Sequence, residues 1–105
     1  MSNYVSITDQ TSKQLIADDH FGEITDFYMT SGSAGSAAAL YDGTSSAAPL
    51  LLLQEAASNA SQAITNMKVQ FGAHGVYAVV NSNVLALTIH GSWSKKLPAT
   101  VLVNG

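Results

Sequence analysis

Apolar side chains in this chain recur at every second position, and that period decides what it can fold into. In "VLALTIHG" (Val84 to Gly91), Leu85, Leu87 and Ile89 share one parity, and Ala86, Thr88 and His90 the other. Met67, Val69 and Phe71 alternate with Lys68 and Gln70, and Val5 and Ile7 alternate with Ser6 and Thr8. Alternation of this kind marks a strand with one buried face, whereas a helix repeats about every 3.6 residues. Only "LQEAASNASQAI" (Leu53 to Ile64) has a helix-compatible composition, and the Ser and Asn in its middle weaken it. It reads as a loop or one turn of helix.

Turn residues separate the alternating stretches. "GEITDFYMTSG" (Gly22 to Gly32) ends in a Gly/Ser cluster, and "SAAALYDG" closes on Asp42-Gly43. "PLLLLQ" reads as a short buried strand starting just after Pro49, where a missing N–H does least harm. Two of its four leucines should face inward and two outward. "GVYAVV" and "VLALTIHG" are joined by Asn81-Ser82-Asn83, which reads as a tight hairpin. "ATVLVNG" after Pro98 supplies a last strand. About seven or eight short strands, with turns roughly every 8 to 15 residues, predict an all-β fold. The expected architecture is a single antiparallel β-sandwich, with the jelly roll as its named candidate topology. The 105 residues form one domain, and residues 1–14 read as an extended N-terminal arm.

Charge is scarce. Only 10% of residues are charged against 47% hydrophobic, so Ser, Thr, Asn, Gly and Ala must cover the surface. Such a surface is weakly protected against self-association. The four basic residues are all lysines, and the net charge is −3. Without arginine, and with a charge that repels phosphate, nucleic acid is not an expected partner. The absence of cysteine removes disulfides and thiol chemistry. No apolar run is long enough to span a membrane, and "MSNYVSITDQTSKQ" lacks the character of a secretory signal. Asn59-Ala60-Ser61, a glycosylation acceptor pattern, therefore reads as chance.

No stretch spells out a reaction. His20, His74 and His90 show no HxH or HxxxH spacing, so loop histidines are favoured over a metal site. "DDHFGE" (Asp18 to Glu23) gathers three carboxylates, yet lacks the spacing of a calcium loop. There is no G-x-S-x-G nucleophile elbow and no phosphate-cradling P-loop. The expectation is a non-enzymatic protein with no catalytic, cofactor or metal residues.

Two stretches, "ALYDGTSSAAPLLLL" and "VQFGAHGVYAVVNSNVLALTI", carry a resemblance to small β-sandwich virion structural proteins of tailed bacteriophages. The likeness runs from about residue 36 to residue 91, through strand and turn residues, with the flanks unmatched. It implies location in the virion and a role as a capsid decoration (cement) protein. Such a protein would stabilise the shell as a homo-oligomer, with a trimer as the expected state. The implied partner is the major capsid protein or another virion protein. Expected contact residues are Tyr4, Val5 and Ile7 of the arm, with Trp93, Lys95 and Lys96. The alternative is a tail or fibre module binding host-surface glycan through Tyr41, Trp93 or Tyr77.

Overall fold

The computed structural model describes residues 3–32, 35–56 and 61–96, and among them every regular element is a strand. In chain order they are β1 (Asn3–Ile7), β2 (Lys13–Ile16), β3 (His20–Ser31), β4 (Ser36–Asp42), β5 (Leu50–Ala56), β6 (Gln62–Ile64), β7 (Val69–Phe71), β8 (Val76–Val80) and β9 (Val84–Lys95). Nine strands replace the expected seven or eight, and two of them, β3 and β9, are 12 residues long rather than short. One sheet has the order β1-β9-β3-β6, with β7 continuing the β6 edge against β3; the other has the order β2-β8-β4-β5. Every pairing is antiparallel.

This order is that of a jelly roll. The first four strands lie antiparallel to the last ones in nested pairs: β1 with β9, β2 with β8, β3 with β6 and β7, and β4 with β5. Folding that doubled ribbon over on itself brings β9 beside β3 and β8 beside β4. Two four-position sheets result, and their inner faces enclose the core. Phe27, Ile24, Met29, Leu87 and Ile89 fill it from the first sheet, and Leu40, Ala38, Val76 and Ala78 from the second. Ser31 and Ser36 are the buried polar residues among those described, and the Ser36 hydroxyl donates to the Asn83 carbonyl at 2.9 Å.

Four expectations change. First, Asn81-Ser82-Asn83 is a crossover between the sheets and not a hairpin. β8 already has β2 and β4 as neighbours, and β9 has β1 and β3, so neither has a free side for the other. The Asn81 side chain shapes the crossover by accepting from the Asn83 N–H (3.1 Å) and donating to the Gly35 carbonyl (2.7 Å).

Second, Leu85 does not join Leu87 and Ile89. The β3–β9 register shifts between Thr30–Ala86 and Ser31–Val84, so Leu85 is the extra residue of a bulge. It turns outward, 49% exposed, and lies over Gly32, where a Cβ would stand 2.9 Å from Leu85 Cγ.

Third, β5 is an edge strand, and none of its four leucines is fully buried. The expected division of two inward and two outward leucines holds, but a register shift between Leu40–Leu52 and Tyr41–Leu50 at Leu51 breaks their strict alternation. Leu51 and Leu52 pack against the core, while Leu50 and Leu53 are each 54% exposed.

Fourth, both ends of the Leu53–Ile64 stretch lie in strands; residues 57–60, which include Asn59, lie outside the described residues, as does the strand expected after Pro98. The structure also adds β2, which the sequence reading did not mark. A further bulge lies at Thr25 of β3, where the edge beyond β3 comes in two pieces. The Thr25 carbonyl accepts from the Met67 N–H at 2.9 Å, which draws the chain inward between β6 and β7.

Candidate interaction surfaces

Side chains directly opposite in a sheet point to the same side, so the register defines each outer face. On the β2-β8-β4-β5 sheet, one outward row runs Leu53, Ala39, Val79, and the next runs Leu50, Tyr41, Tyr77, Gln14. Six of those seven side chains carry no hydrogen-bonding group or only a phenol at the tip. Glu55, opposite Ala37 at the rim, is the one charge on the described part of this face. The patch continues to the outer edge of β5, which pairs with no strand among the described residues.

The outer face of the other sheet is built differently. Tyr4, His90 and Tyr28 come from three adjacent strands, with ring centroids 5.6 Å apart for Tyr4–His90 and 5.4 Å for Tyr28–His90. Beside them the Ser6 and Thr88 hydroxyls meet at 2.7 Å. Phe21 on β3 and Leu85 on β9 are also exposed, at 48% and 49%, so this side mixes exposed rings and apolar side chains with hydroxyls.

The residues expected to contact a partner divide between surface and interior. Tyr4 is 71% exposed, whereas Ile7 is 1% exposed and belongs to the core. Val5 is half-buried against that core. All three lie in β1, which pairs with β9 from Asn3–Gly91 to Ile7–Leu87, so residues 3–7 are a sheet strand in this fold and not a free arm. Removing residues 1–8 would therefore take a core side chain with it. Trp93 is half-buried beside Phe71, with centroids 6.4 Å apart, and its backbone N–H donates to Asn3 Oδ1 at 3.1 Å. The start of β1 and Trp93 thus meet at one corner. Lys95 and Lys96 are exposed at the end of β9. Of the three aromatics proposed to receive glycan, Tyr41 and Tyr77 sit opposite each other on the apolar face, and Trp93 belongs to the other sheet.

The histidines do not converge, and among the described residues no three metal-ligating groups gather. His90 stands between the two tyrosines, and His20 begins β3. His74 Nδ1 meets Asp18 Oδ1 at 3.0 Å, joining the β2–β3 and β7–β8 connections. That contact holds the Asp18 carboxyl below the usual carboxylate range, as the Lys13 ammonium does for Asp9 at 2.8 Å. The carboxylates of "DDHFGE" are also dispersed: Glu23 accepts from Gln70 Nε2 at 2.7 Å on the other sheet.

Sequence reasoning missed a concavity of about 390 Å³ at the loop end of the β4–β5 side, lined by Asp42, Thr44, Ser45, Ala47, Ala48 and His74 among others. Its signal in the sequence was the hydroxyl-rich "DGTSSAA", which alone reads as a surface loop. Compared with family models, curated proteins and solved structures, the chain matches none.

Proposed function

We propose that this chain is a non-enzymatic virion structural protein of a tailed bacteriophage, a decoration protein that assembles as a homo-oligomer on the capsid shell. The observation that carries the reading is the outer face of the β2-β8-β4-β5 sheet together with the β5 edge. Leu50 and Leu53, each 54% exposed, are the apolar side chains that stand out from this face, and exposed β edges are normally guarded by charge, proline or bulges. β5 carries Pro49 at its start, a bulge at Leu51 and Glu55 near its end, yet Leu50 and Leu53 stand exposed between these guards. The occupant of this surface is a second copy of the chain. Two nearly charge-free faces meet without like-charge repulsion, and the backbone edge is complementary to itself in an antiparallel pairing.

Jelly rolls occur among viral capsid domains, and also among lectins and cupins, so the fold supports the reading without deciding it. A decoration protein acts by mass action: many weak contacts across subunit boundaries favour the assembled shell. The deciding experiment is quantitative mass spectrometry of purified particles from the source phage, scaled to the major capsid protein. A copy number comparable to that of the shell subunits is the expected result. A handful of copies would assign the protein to a tail or vertex instead, and absence from the particle would end the virion reading.

A further inference from the structure

The concavity at the β4–β5 end has the makings of a ligand site, and its groups specify what enters. It is a shallow concavity of about 390 Å³ that is largely open to solvent, so a ligand would lie against it rather than inside it. Its walls are fixed from several directions. Asp42 N–H donates to the Pro49 carbonyl at 2.8 Å, closing the loop at its base. Asp42 Oδ1 accepts from the Gly72 N–H at 3.0 Å, which ties this wall to the β7–β8 connection. Beneath both, Gln14 Nε2 reaches the Gly43 carbonyl at 2.9 Å and the His74 carbonyl at 3.3 Å. The Ser45 oxygen accepts from the Ala47 N–H at 3.2 Å, which leaves its O–H to donate.

Among the described residues these bonds leave Asp42 Oδ2, the Thr44 hydroxyl, the Ser45 O–H and His74 Nε2 unused, the last on a ring oriented through Nδ1 by Asp18. Ala47 and Ala48 add a small apolar wall. No lysine or arginine lines the site, and Asp42 repels anions, so phosphate and carboxylate ligands do not fit. A metal ion would want at least three ligating side chains, which do not gather here. An alkylammonium group is the competing class, since Asp42 Oδ2 and the second lone pairs of the Gly43 and His74 carbonyls accept from it, and a titration with each separates the two.

Paired acceptors, two hydroxyls and an apolar wall suit a neutral ligand with adjacent hydroxyl groups. We infer that this concavity binds a terminal pyranose of a glycan, with two sugar hydroxyls donating to Asp42 Oδ2 and His74 Nε2 and the Thr44 hydroxyl bonding a third. The inference stands apart from the decoration role, since the site uses no residue of the apolar patch.

The test is a titration of the ¹⁵N-labelled full-length protein with methyl pyranosides of the gluco, galacto, manno and N-acetylglucosamine series, and with n-butylammonium. One sugar should shift the amides of residues 43–48 and 72–74. Asp42→Asn keeps an oxygen to accept from Gly72, so the fold survives, while affinity should fall about tenfold, as for losing a hydrogen bond to a charged acceptor. Thr44→Ala should cost a smaller factor, and Tyr4→Ala, on the opposite sheet, nothing. Silence of these amides toward every sugar overturns the inference. So does a response to n-butylammonium alone, which would mark a socket for a lysine side chain. Sugar-induced shifts confined to the Tyr4, Tyr28 and His90 face overturn it as well.

Discussion

Gly75 is where a single methyl group meets the most resistance. Its φ of +73° lies in the left-handed region, and a Cβ there would overlap the carbonyl oxygens of Ile16 and Ala17. Those are backbone atoms at the end of β2, so they cannot swing aside as a side chain could. The same residue donates its N–H to the His20 carbonyl at 3.1 Å, tying the β7–β8 turn to the start of β3. Gly75→Ala combines left-handed strain with a backbone clash, and is expected to cost at least about 2 kcal/mol. A urea titration followed by tryptophan fluorescence would measure this; a midpoint within error of the parent would show that the turn relaxes freely. By contrast Gly72, in the same "FGAHG" bend, has an ordinary φ, and the nearest atoms to its Cβ would be the Asp42 carboxylate oxygens at 3.8 and 3.9 Å. The sequence marks both as turn glycines and cannot rank them, because the difference lies in what a distant strand places beside each one.

At the level of elements, the alternation of apolar residues was enough to find most strands, and the errors have physical causes. β4, β7 and β8 follow their apolar spacing, with Phe71, Val76, Ala78 and Val80 inward where the period puts them. Leu85 and Leu51 fall out of step because a bulge inserts one residue, and nothing in a run of leucines reveals which partner strand will shift. β2, four residues with Leu15 and Ile16 buried in succession, shows no period at all. The Asn81–Asn83 connection was misread for a different reason. A short Asn-rich link between two apolar strands looks the same whether they pair or cross between sheets, and only the other neighbours of β8 and β9 decide. The apolar patch was legible only in part: the leucine run was obvious, but its position on an edge was not. Leu53 is the residue on which to test that patch. It is outward and half-exposed, so Leu53→Lys leaves the core alone while placing a charge on the edge, a device natural sheets use to block edge pairing. Self-association measured by sedimentation velocity should weaken at least about tenfold, in keeping with the loss of a central apolar anchor. An unchanged distribution of species would exclude this edge as the contact between copies.

Over the whole molecule, the nested pairing joins the two ends of the described chain: β1 lies against β9, and the Asn3 side chain receives the backbone N–H of Trp93. That closure puts the two groups of expected contact residues, the β1 tyrosine and the lysines after Trp93, on the sheet opposite the apolar patch. The molecule therefore offers two sides with different physics. Lys95 and Lys96 would engage a shell surface through exposed charges, and such contacts weaken as salt shortens the Debye length from about 10 Å at 0.1 M to about 3 Å at 1 M. The Leu50, Leu53, Tyr41, Tyr77 and Val79 side would engage through apolar burial, which added salt leaves intact or strengthens. Salt dependence thus tells which side carries each step of assembly. Association between copies, if it runs through the apolar side, should hold across that range of ionic strength. Attachment to capsid shells lacking this protein, if it runs through the lysine side, should weaken with salt and should lose that dependence in a Lys95→Ala, Lys96→Ala double variant. Cosedimentation with shells at low and high salt, alongside sedimentation velocity of the free protein, separates the two. Shell binding insensitive to both salt and the double substitution would move the docking surface to the apolar side, and copies would then have to meet elsewhere.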